Sequence, residues 1–137
     1  MRPFVLSALV AILSIASGDM AHGQALTAKE GKLLNGTEIK KTFGGSKITG
    51  VNQYGNDYIV SFSPDGKMSG QAIDPDGVVV AEDTGTWSTR RNQYCREWET
   101  WFDGFPACFL IVMDGETVKF FGQNRQKVDE STLVRAE

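Results

Sequence analysis

The stretch of sequence that decides the fold is "DYIVSFSPDGKMSGQAIDPDG", residues 57–77. Apolar and polar residues alternate along its first part, which places Tyr58, Val60 and Phe62 on one face of an extended strand. A proline-aspartate-glycine turn follows at residues 64–66 and recurs at the end of the stretch. Proline presets φ, aspartate caps the turn and glycine accepts a positive φ. The stretch therefore predicts two antiparallel strands, each ended by a tight turn.

Segments of the same kind extend on both sides of this stretch and are separated by turn residues. They are "ITGV" (48–51), "VVVAED" (78–83), "GTWST" (85–89), "QYCREWETW" (93–101), "ACFLIVM" (107–113), "ETVKFFG" (116–122) and, as a last edge strand, "STLVR" (131–135). We expect a turn at Asp114-Gly115 and a loop over 123–130. The run 109–113 lacks alternation, which favours a central strand covered on both sides. The pattern predicts a mainly β fold, a single antiparallel meander of seven or eight strands forming a small barrel or sandwich.

A short N-terminal helical segment precedes the strands, over residues 27–45. Thr27 and Glu30 have the spacing of a capping box, in which each side chain satisfies a free backbone N–H of the first turn. Asn35-Gly36 interrupts the segment, and a second turn or two over residues 37–43 ends at Gly44-Gly45. In this second piece Ile39 and Phe43 stand four residues apart and share one helix face. The segment is too short to be stable alone, so we expect it to close one end of the β fold or to cover one of its faces.

Residues 1–25 have the features of a signal peptide. A basic residue precedes the apolar stretch 4–16, and small residues follow where signal peptidase would cut, so that the exported chain would begin at Gln24 or Leu26. The apolar stretch is too short to span a bilayer. The sequence thus predicts a periplasmic or secreted protein with no stable membrane insertion after signal cleavage, and one all-β domain over 26–137.

Composition excludes several classes of chemistry. A net charge of −3 gives no electrostatic case for binding nucleic acid. The single histidine, His22, lies in the predicted signal peptide, so the exported domain would have no histidine for a nucleophilic triad or a metal site. The arginines of "RRNQYCR", residues 90–96, are best explained as a solvated turn and strand. We expect a protein that is not an enzyme and has no cofactor and no metal.

Cys95 and Cys108 are the only cysteines of the chain, and in an exported protein they predict one disulfide. The loop-entropy model gives such a bond about 3 kcal/mol of stabilisation. If the two cysteines face each other on adjacent strands, a tight turn would fall at Trp101-Phe102, which is poor turn chemistry. We therefore expect a wide or bulged loop whose base the disulfide closes.

Four large aromatic residues lie between the cysteines. Trp98 is flanked by Glu97 and Glu99, which favour water, so strand alternation points Trp98 into the core. Trp87 and Phe109 are expected to be core residues as well. The remaining three aromatics cannot all be buried on one side of a strand, and exposed aromatic patches usually mark a contact surface. The predicted binding residues are Trp101, Phe102 and Phe105.

The order of these motifs resembles a family of small exported alphaproteobacterial proteins of unknown function. The motifs are "LLNGTEIKKTFGGSKITG" (33–50), "YIVSFSPDGKMSG" (58–70), "DTGTWSTRRNQYCREW" (83–98) and "ACFLIVMDGETVKFFG" (107–122). They match a Leu-x-Gly-x-Glu-Ile start, a Pro-Asp-Gly turn, a Gly-x-Trp strand and two cysteines flanking a tryptophan-containing strand. The resemblance covers nearly all of the exported chain and implies no established activity or catalytic residues.

Three functions follow from these features. The first is a non-catalytic exported binding module that contacts a partner protein or an envelope glycan through the aromatic loop. The second is an inhibitor of an exported hydrolase of the protease or lysozyme type, since a rigid loop loses little entropy on binding. The third is a carboxylate-based glycan hydrolase in which Glu97 or Glu99 acts beside a second carboxyl group. A shallow aromatic platform would favour the first, a protruding loop tip without a cleft the second, and a deep groove with paired carboxyls the third.

Overall fold

The computed structural model describes residues 30–136, so the predicted signal peptide and Thr27 lie outside the described residues. Within that range the elements are β1 (Lys32–Leu33), α1 (Gly36–Phe43), β2 (Lys47–Val51), β3 (Asp57–Phe62), β4 (Lys67–Ile73), β5 (Val79–Arg90), β6 (Gln93–Trp98), a 3₁₀ turn (Trp101–Gly104), β7 (Ala107–Asp114), β8 (Thr117–Phe121) and β9 (Lys127–Val134). The described part of the chain holds no helix with the length and apolar character that a bilayer crossing demands.

The strands from β2 to β9 form a closed, eight-stranded antiparallel barrel. Each strand pairs with its neighbour in the chain, and β9 returns to pair with β2, with Ile48 opposite Leu133. The short strand β1 adds to β7 outside this closed ring, with Lys32 opposite Met113. The predicted antiparallel meander is confirmed, and of the two architectures left open it is the barrel. Closure leaves the ring without unpaired edges.

The two ends of an antiparallel meander differ because alternate loops lie at opposite ends. At one end lie the β3–β4, β5–β6 and β7–β8 turns, together with α1. There Ile39 and Phe43 of α1 are fully buried. The Phe43 ring stacks on Phe62 with ring centroids 4.9 Å apart and meets Tyr94 edge-on at 5.2 Å. The helix therefore closes this end, which we call the closed end, as the spacing of Ile39 and Phe43 predicts.

Of the two predicted helical pieces, the second forms α1, whereas the described part of the first is not helical. The capping box is formed by Asn35 and Glu38, whose side chains each accept a hydrogen bond from the other's backbone N–H. Glu30 lies in a turn, and Lys32–Leu33 is a strand rather than helix. The prediction of a first helical turn beginning at Thr27 fails at Glu30, because β7 offers this segment backbone partners that an isolated helical turn cannot match.

Strand β5 runs without a break through Gly85, although the sequence predicts two segments there. A Cβ at Gly85 would overlap the carbonyl oxygen of Glu97 on β6, so this glycine permits a close approach of strands and does not mark a turn. The predicted loop 123–130 is also too long, because β9 already begins at Lys127. That strand closes the barrel and is not an edge strand.

Strand β7 confirms the prediction for the run 109–113. Ile111 and Val112 point to opposite faces of the sheet, and both are fully buried. The β7–β8 turn lies one residue later than predicted, at Gly115 and Glu116, since Asp114 pairs with Thr117. The strand is therefore covered on both sides, as a run without alternation indicates.

Candidate functional site at the open end of the barrel

The end of the barrel opposite α1, which we call the open end, contains a cavity of about 890 Å³ that reaches solvent. A volume of this size is typical of sites for small molecules. Its wall includes inward-facing residues of the strands and residues of the loops at the open end. Those that matter below are Tyr58, Val80, Tyr94, Arg96, Trp98, Trp101, Phe102, Phe109, Val128 and Asp129.

Most of the exposed large hydrophobic residues surround this opening. Among residues 30–136, eight of the ten with high exposure belong to the loops and strand ends of the open end, and we call these eight the apolar rim. The rim consists of Val51, Tyr54, Val78, Val79, Val80, Phe102, Phe105 and Val128. The other two, Leu33 and Val134, lie elsewhere. A concentration of apolar side chains around one opening marks a contact surface.

The aromatic loop, residues 99–106, joins β6 to β7 at this end. Cys95 lies directly opposite Cys108 in the register of the two strands, and their sulfur atoms are 2.06 Å apart, a covalent distance. The loop is wide and contains the 3₁₀ turn, as the poor chemistry of a tight turn predicts. Phe102 and Asp103 have φ of 55° and 57°, a left-handed conformation that residues other than glycine rarely adopt. Such conformations concentrate at functional sites.

Asp83 on β5 fixes the start of the aromatic loop. One of its carboxylate oxygens accepts hydrogen bonds from the backbone N–H of Thr100 at 2.9 Å and of Trp101 at 2.7 Å. The other accepts from its neighbour Thr84 at 2.9 Å. Desolvation alone would raise the pKa of the Asp83 carboxyl, but the hydrogen bonds from Trp101, Thr100 and Thr84 outweigh it and hold this pKa below its usual value. The carboxylate therefore anchors the loop in its charged form.

Trp98 and Trp101 differ in position as well as in role. Trp98 is buried, and Glu97 and Glu99 beside it are exposed, which confirms the placement of Trp98 in the core. Trp101 is half-buried, and its ring lies 4.7 Å from that of Trp98. A Cβ on Gly70 of β4 would overlap the Trp101 ring, so this glycine gives the tryptophan its place in the wall of the cavity. Trp101 is thus a wall residue more than a surface contact.

Phe102 and Phe105 are the exposed members of the predicted binding set, at 65% and 69% exposure. The expectation that not all the loop aromatics are buried is confirmed. The structure brings Trp101 and Phe102 together at the cavity, whereas Phe105 lies on the rim and outside the cavity wall. Trp87 is buried, and Phe109 is partly buried against the core.

Arg96 is the site residue for which the sequence prediction is wrong. Arg90 and Arg91 are exposed, as expected of a solvated turn, but Arg96 points into the barrel. Its guanidinium carbon lies 4.0 Å from the centre of the Phe102 ring. The signal is present in the sequence, since Tyr94, Arg96 and Trp98 alternate with outward-facing residues on one strand.

Glu97 and Glu99 lie outside the barrel, along a wide and open polar groove that also contains Lys67. A carboxylate mechanism for glycan cleavage needs two carboxyl groups about 5–10 Å apart on the two sides of the bond that is cut. Both glutamates are exposed, and the groove that they line is open to solvent and is not an enclosed cleft.

Comparisons with protein-family models, with curated proteins and with solved structures found no match to this chain. The resemblance to small exported alphaproteobacterial proteins therefore stays a prediction. Within residues 30–136 there is no group of three or more histidine, cysteine or acidic side chains placed to hold a metal ion. The geometry of the open end is therefore the main evidence for function.

Proposed function

We propose that this protein is a non-catalytic binding module that takes a small, largely apolar molecule into the cavity at the open end of the barrel. The observation that carries the proposal is that the cavity and the apolar rim lie at the same end of the barrel and share residues. The cavity of about 890 Å³ opens there, and eight of the ten exposed large hydrophobic residues of the described chain surround it. A ligand would bury apolar surface of the cavity wall and of the apolar rim.

The walls of the cavity support this assignment. Fifteen of the twenty lining residues are aromatic or aliphatic and five carry amide or charged side chains, a predominantly apolar composition that is usual for a small-molecule site. The Tyr58 hydroxyl is hydrogen-bonded to Ser131, so this polar group of the wall is already satisfied within the protein. The binding residues predicted from the sequence belong to the same surface, with Trp101 in the wall and Phe102 at the opening.

A binding measurement with a neutral apolar fluorophore tests the proposal. N-phenyl-1-naphthylamine should become fluorescent on the purified protein, and tryptophan emission should fall, because Trp98 and Trp101 line the cavity. Val80→Ser should weaken this binding several-fold by making the cavity wall polar. Binding that is absent, or that saturates only with unfolded protein, contradicts the proposal.

The chain offers a matched control for that variant. Val80 is 51% exposed and lies on the rim, whereas Val134 is 48% exposed and lies at the end of β9 away from the rim. Val134→Ser should leave affinity for the fluorophore within about twofold of the original protein. Equal losses in the two variants would mean that the fluorophore reports general surface hydrophobicity and not the cavity.

A second candidate is contact with a partner protein, including inhibition of an exported hydrolase. Phe105 favours it, since this side chain is 69% exposed on an anchored loop and takes no part in the cavity wall. Phe105→Ala should leave fluorophore binding unchanged and should weaken any inhibition of lysozyme or of a protease that the original protein shows. An unchanged inhibition constant would dismiss Phe105 as the contact.

We also propose that the protein works outside the cytoplasm, where a disulfide persists. The pairing of Cys95 with Cys108 in a disulfide is compatible with this location. Two measurements test it. N-terminal sequencing of protein recovered from the envelope or medium should find a start at Gln24 or Leu26. Thiol titration of that protein after unfolding should find no free thiol; an intact Met1 and two free thiols would contradict the proposal.

A further inference from the structure

The positive charge of Arg96 inside the cavity indicates which chemical group the ligand carries, which the volume of the cavity does not. Arg96 on β6 lies in the cavity wall, and its guanidinium is close to two aromatic rings. The guanidinium carbon is 4.0 Å from the centre of the Phe102 ring and 5.2 Å from that of Phe109. When an arginine stacks on an aromatic ring, the flat face of the guanidinium contacts the ring. The N–H bonds lie in the plane of the guanidinium, so they can still donate hydrogen bonds to other groups.

At least one of these donors has no acceptor among residues 30–136. The Nη1 atom of Arg96 is buried and has no hydrogen-bond partner within that part of the chain. None of the five ion pairs among residues 30–136 includes Arg96. A buried donor without an acceptor costs free energy, and a desolvated charge without a counter-charge costs more. A ligand that brought an acceptor to Arg96 would remove this cost.

Asp129 is the acidic group that could compete for this arginine. It lies in the wall of the same cavity and is exposed, and its charge opposes the fall in the pKa of Arg96 that desolvation causes. One Asp129 carboxylate oxygen already accepts a hydrogen bond from the backbone N–H of Glu130 at 2.8 Å. Because Asp129 forms no ion pair with Arg96, it acts on the guanidinium only through space.

We propose that the ligand of the open end is a small amphipathic oxyanion, whose negatively charged group binds the free in-plane N–H donors of Arg96 and whose apolar body packs among the aromatic walls. This inference rests on the proposed function and adds the charge of the ligand. A planar guanidinium fits a carboxylate, sulfonate or phosphate with two parallel hydrogen bonds. The low dielectric of an aromatic cavity strengthens that interaction.

Two fluorophores with nearly the same apolar body test the proposal. 8-Anilinonaphthalene-1-sulfonate carries a sulfonate, and N-phenyl-1-naphthylamine has no charge. Titrations should use the original protein, Arg96→Met and Asp129→Asn. Arg96→Met should weaken binding of the sulfonate at least tenfold, the scale of a lost charge-assisted hydrogen bond, and should change binding of the neutral fluorophore less than about twofold. Asp129→Asn should strengthen sulfonate binding a few-fold, because a negative charge near the site is removed.

The outcomes separate the two claims. If both fluorophores bind the original protein and Arg96→Met changes neither or weakens both equally, the oxyanion proposal is overturned and the proposed function stands. If neither fluorophore binds, both fail. Thermal melting of each variant checks folding, and Arg96→Lys provides a second arm that keeps the positive charge. That variant should retain more sulfonate binding than Arg96→Met; equal affinities would also overturn the proposal.

Discussion

The two ends of the barrel are built from similar residues and yet have opposite properties. At the closed end, Phe43 of α1 contacts the rings of Phe62 and Tyr94 and is fully buried. At the open end, Phe102 and Phe105 are mostly exposed, and the cavity wall contains Arg96, whose Nη1 atom has no hydrogen-bond partner among residues 30–136. The closed end satisfies its apolar surface internally. The open end leaves its apolar surface and one charge unsatisfied, as a binding site does.

The comparison indicates that the backbone conformation of the aromatic loop accounts for the exposure of its phenylalanine side chains. Three features fix the conformation of the aromatic loop: the disulfide at its base, the anchor at Asp83 and the left-handed backbone at Phe102 and Asp103. None of these is needed to close a barrel end, since α1 does so at the other end with eight residues. The predictions below, together with the variants proposed above, break or sharpen this contrast.

The largest expected effect is at the closed end. Phe43→Ala removes a fully buried ring from the aromatic cluster and should lower the free energy of unfolding by about 3–5 kcal/mol. Urea unfolding monitored by circular dichroism measures this loss. At urea concentrations where the variant is still folded, affinity for N-phenyl-1-naphthylamine should match that of the original protein. A selective loss of affinity would place the ligand at the wrong end.

The next effect concerns the disulfide between Cys95 and Cys108. Its reduction should lower the free energy of unfolding by about 2–4 kcal/mol, because the loop it closes gains entropy in the unfolded chain. Under conditions where the reduced protein is folded, binding should also weaken, since the bond fixes the base of the aromatic loop. Denaturant unfolding and fluorophore titration, each with and without reductant, measure the two losses. Unchanged affinity would show that binding does not depend on the disulfide.

The sequence predicts the fold better than the site, for a physical reason. Strand alternation and turn chemistry are local, so the common face of Tyr58, Val60 and Phe62 follows from their spacing alone. The cavity depends on which residues the closed barrel leaves without neighbours. Gly70 makes room for the Trp101 ring, and Gly85 makes room for the backbone of β6. Neither neighbour is close in the chain, so the sequence alone does not reveal why a glycine is needed at these positions.

Arg96 and Asn35 show the two ways in which local reasoning fails. Solvent is the default place for Arg96 because arginine is rarely buried, although its alternation with Tyr94 and Trp98 indicates the inward face. Asn35 and Glu38 have capping-box spacing and cap the helix, but Thr27 and Glu30 have the same spacing earlier in the chain and favour an earlier start. The pairing of β1 with β7, which is distant in the chain, excludes the earlier helix start.

Acid should release the aromatic loop. The pKa of Asp83 is lower in the folded protein than in the unfolded chain, so its anchor is fully present above pH of about 4 and is lost as the pH falls through the folded value. Trp101 emission should therefore change at a pH below the usual range of an aspartate. Asp83→Asn should abolish this transition and cost about 1 kcal/mol of stability. A transition that persists in Asp83→Asn would assign it to another carboxyl.

The smallest stability effect is expected at Phe102. Phe102→Gly removes a mostly exposed ring and relieves a left-handed φ of 55°, so the melting temperature should shift by no more than a few degrees. Affinity for 8-anilinonaphthalene-1-sulfonate should nevertheless fall, because the ring that covers Arg96 is gone. Differential scanning calorimetry and fluorescence titration separate the two effects. Unchanged affinity would remove Phe102 from the site.

The most direct test of the central claim is a map of amide chemical shifts during titration with N-phenyl-1-naphthylamine. If the open end is the binding site, the shifts should concentrate in its four loops, which are residues 52–56, 74–78, 99–106 and 122–126, and amides of α1 should not move. Shifts concentrated at α1 and the β3–β4 turn, or along the outer groove of Glu97 and Glu99, would contradict the account.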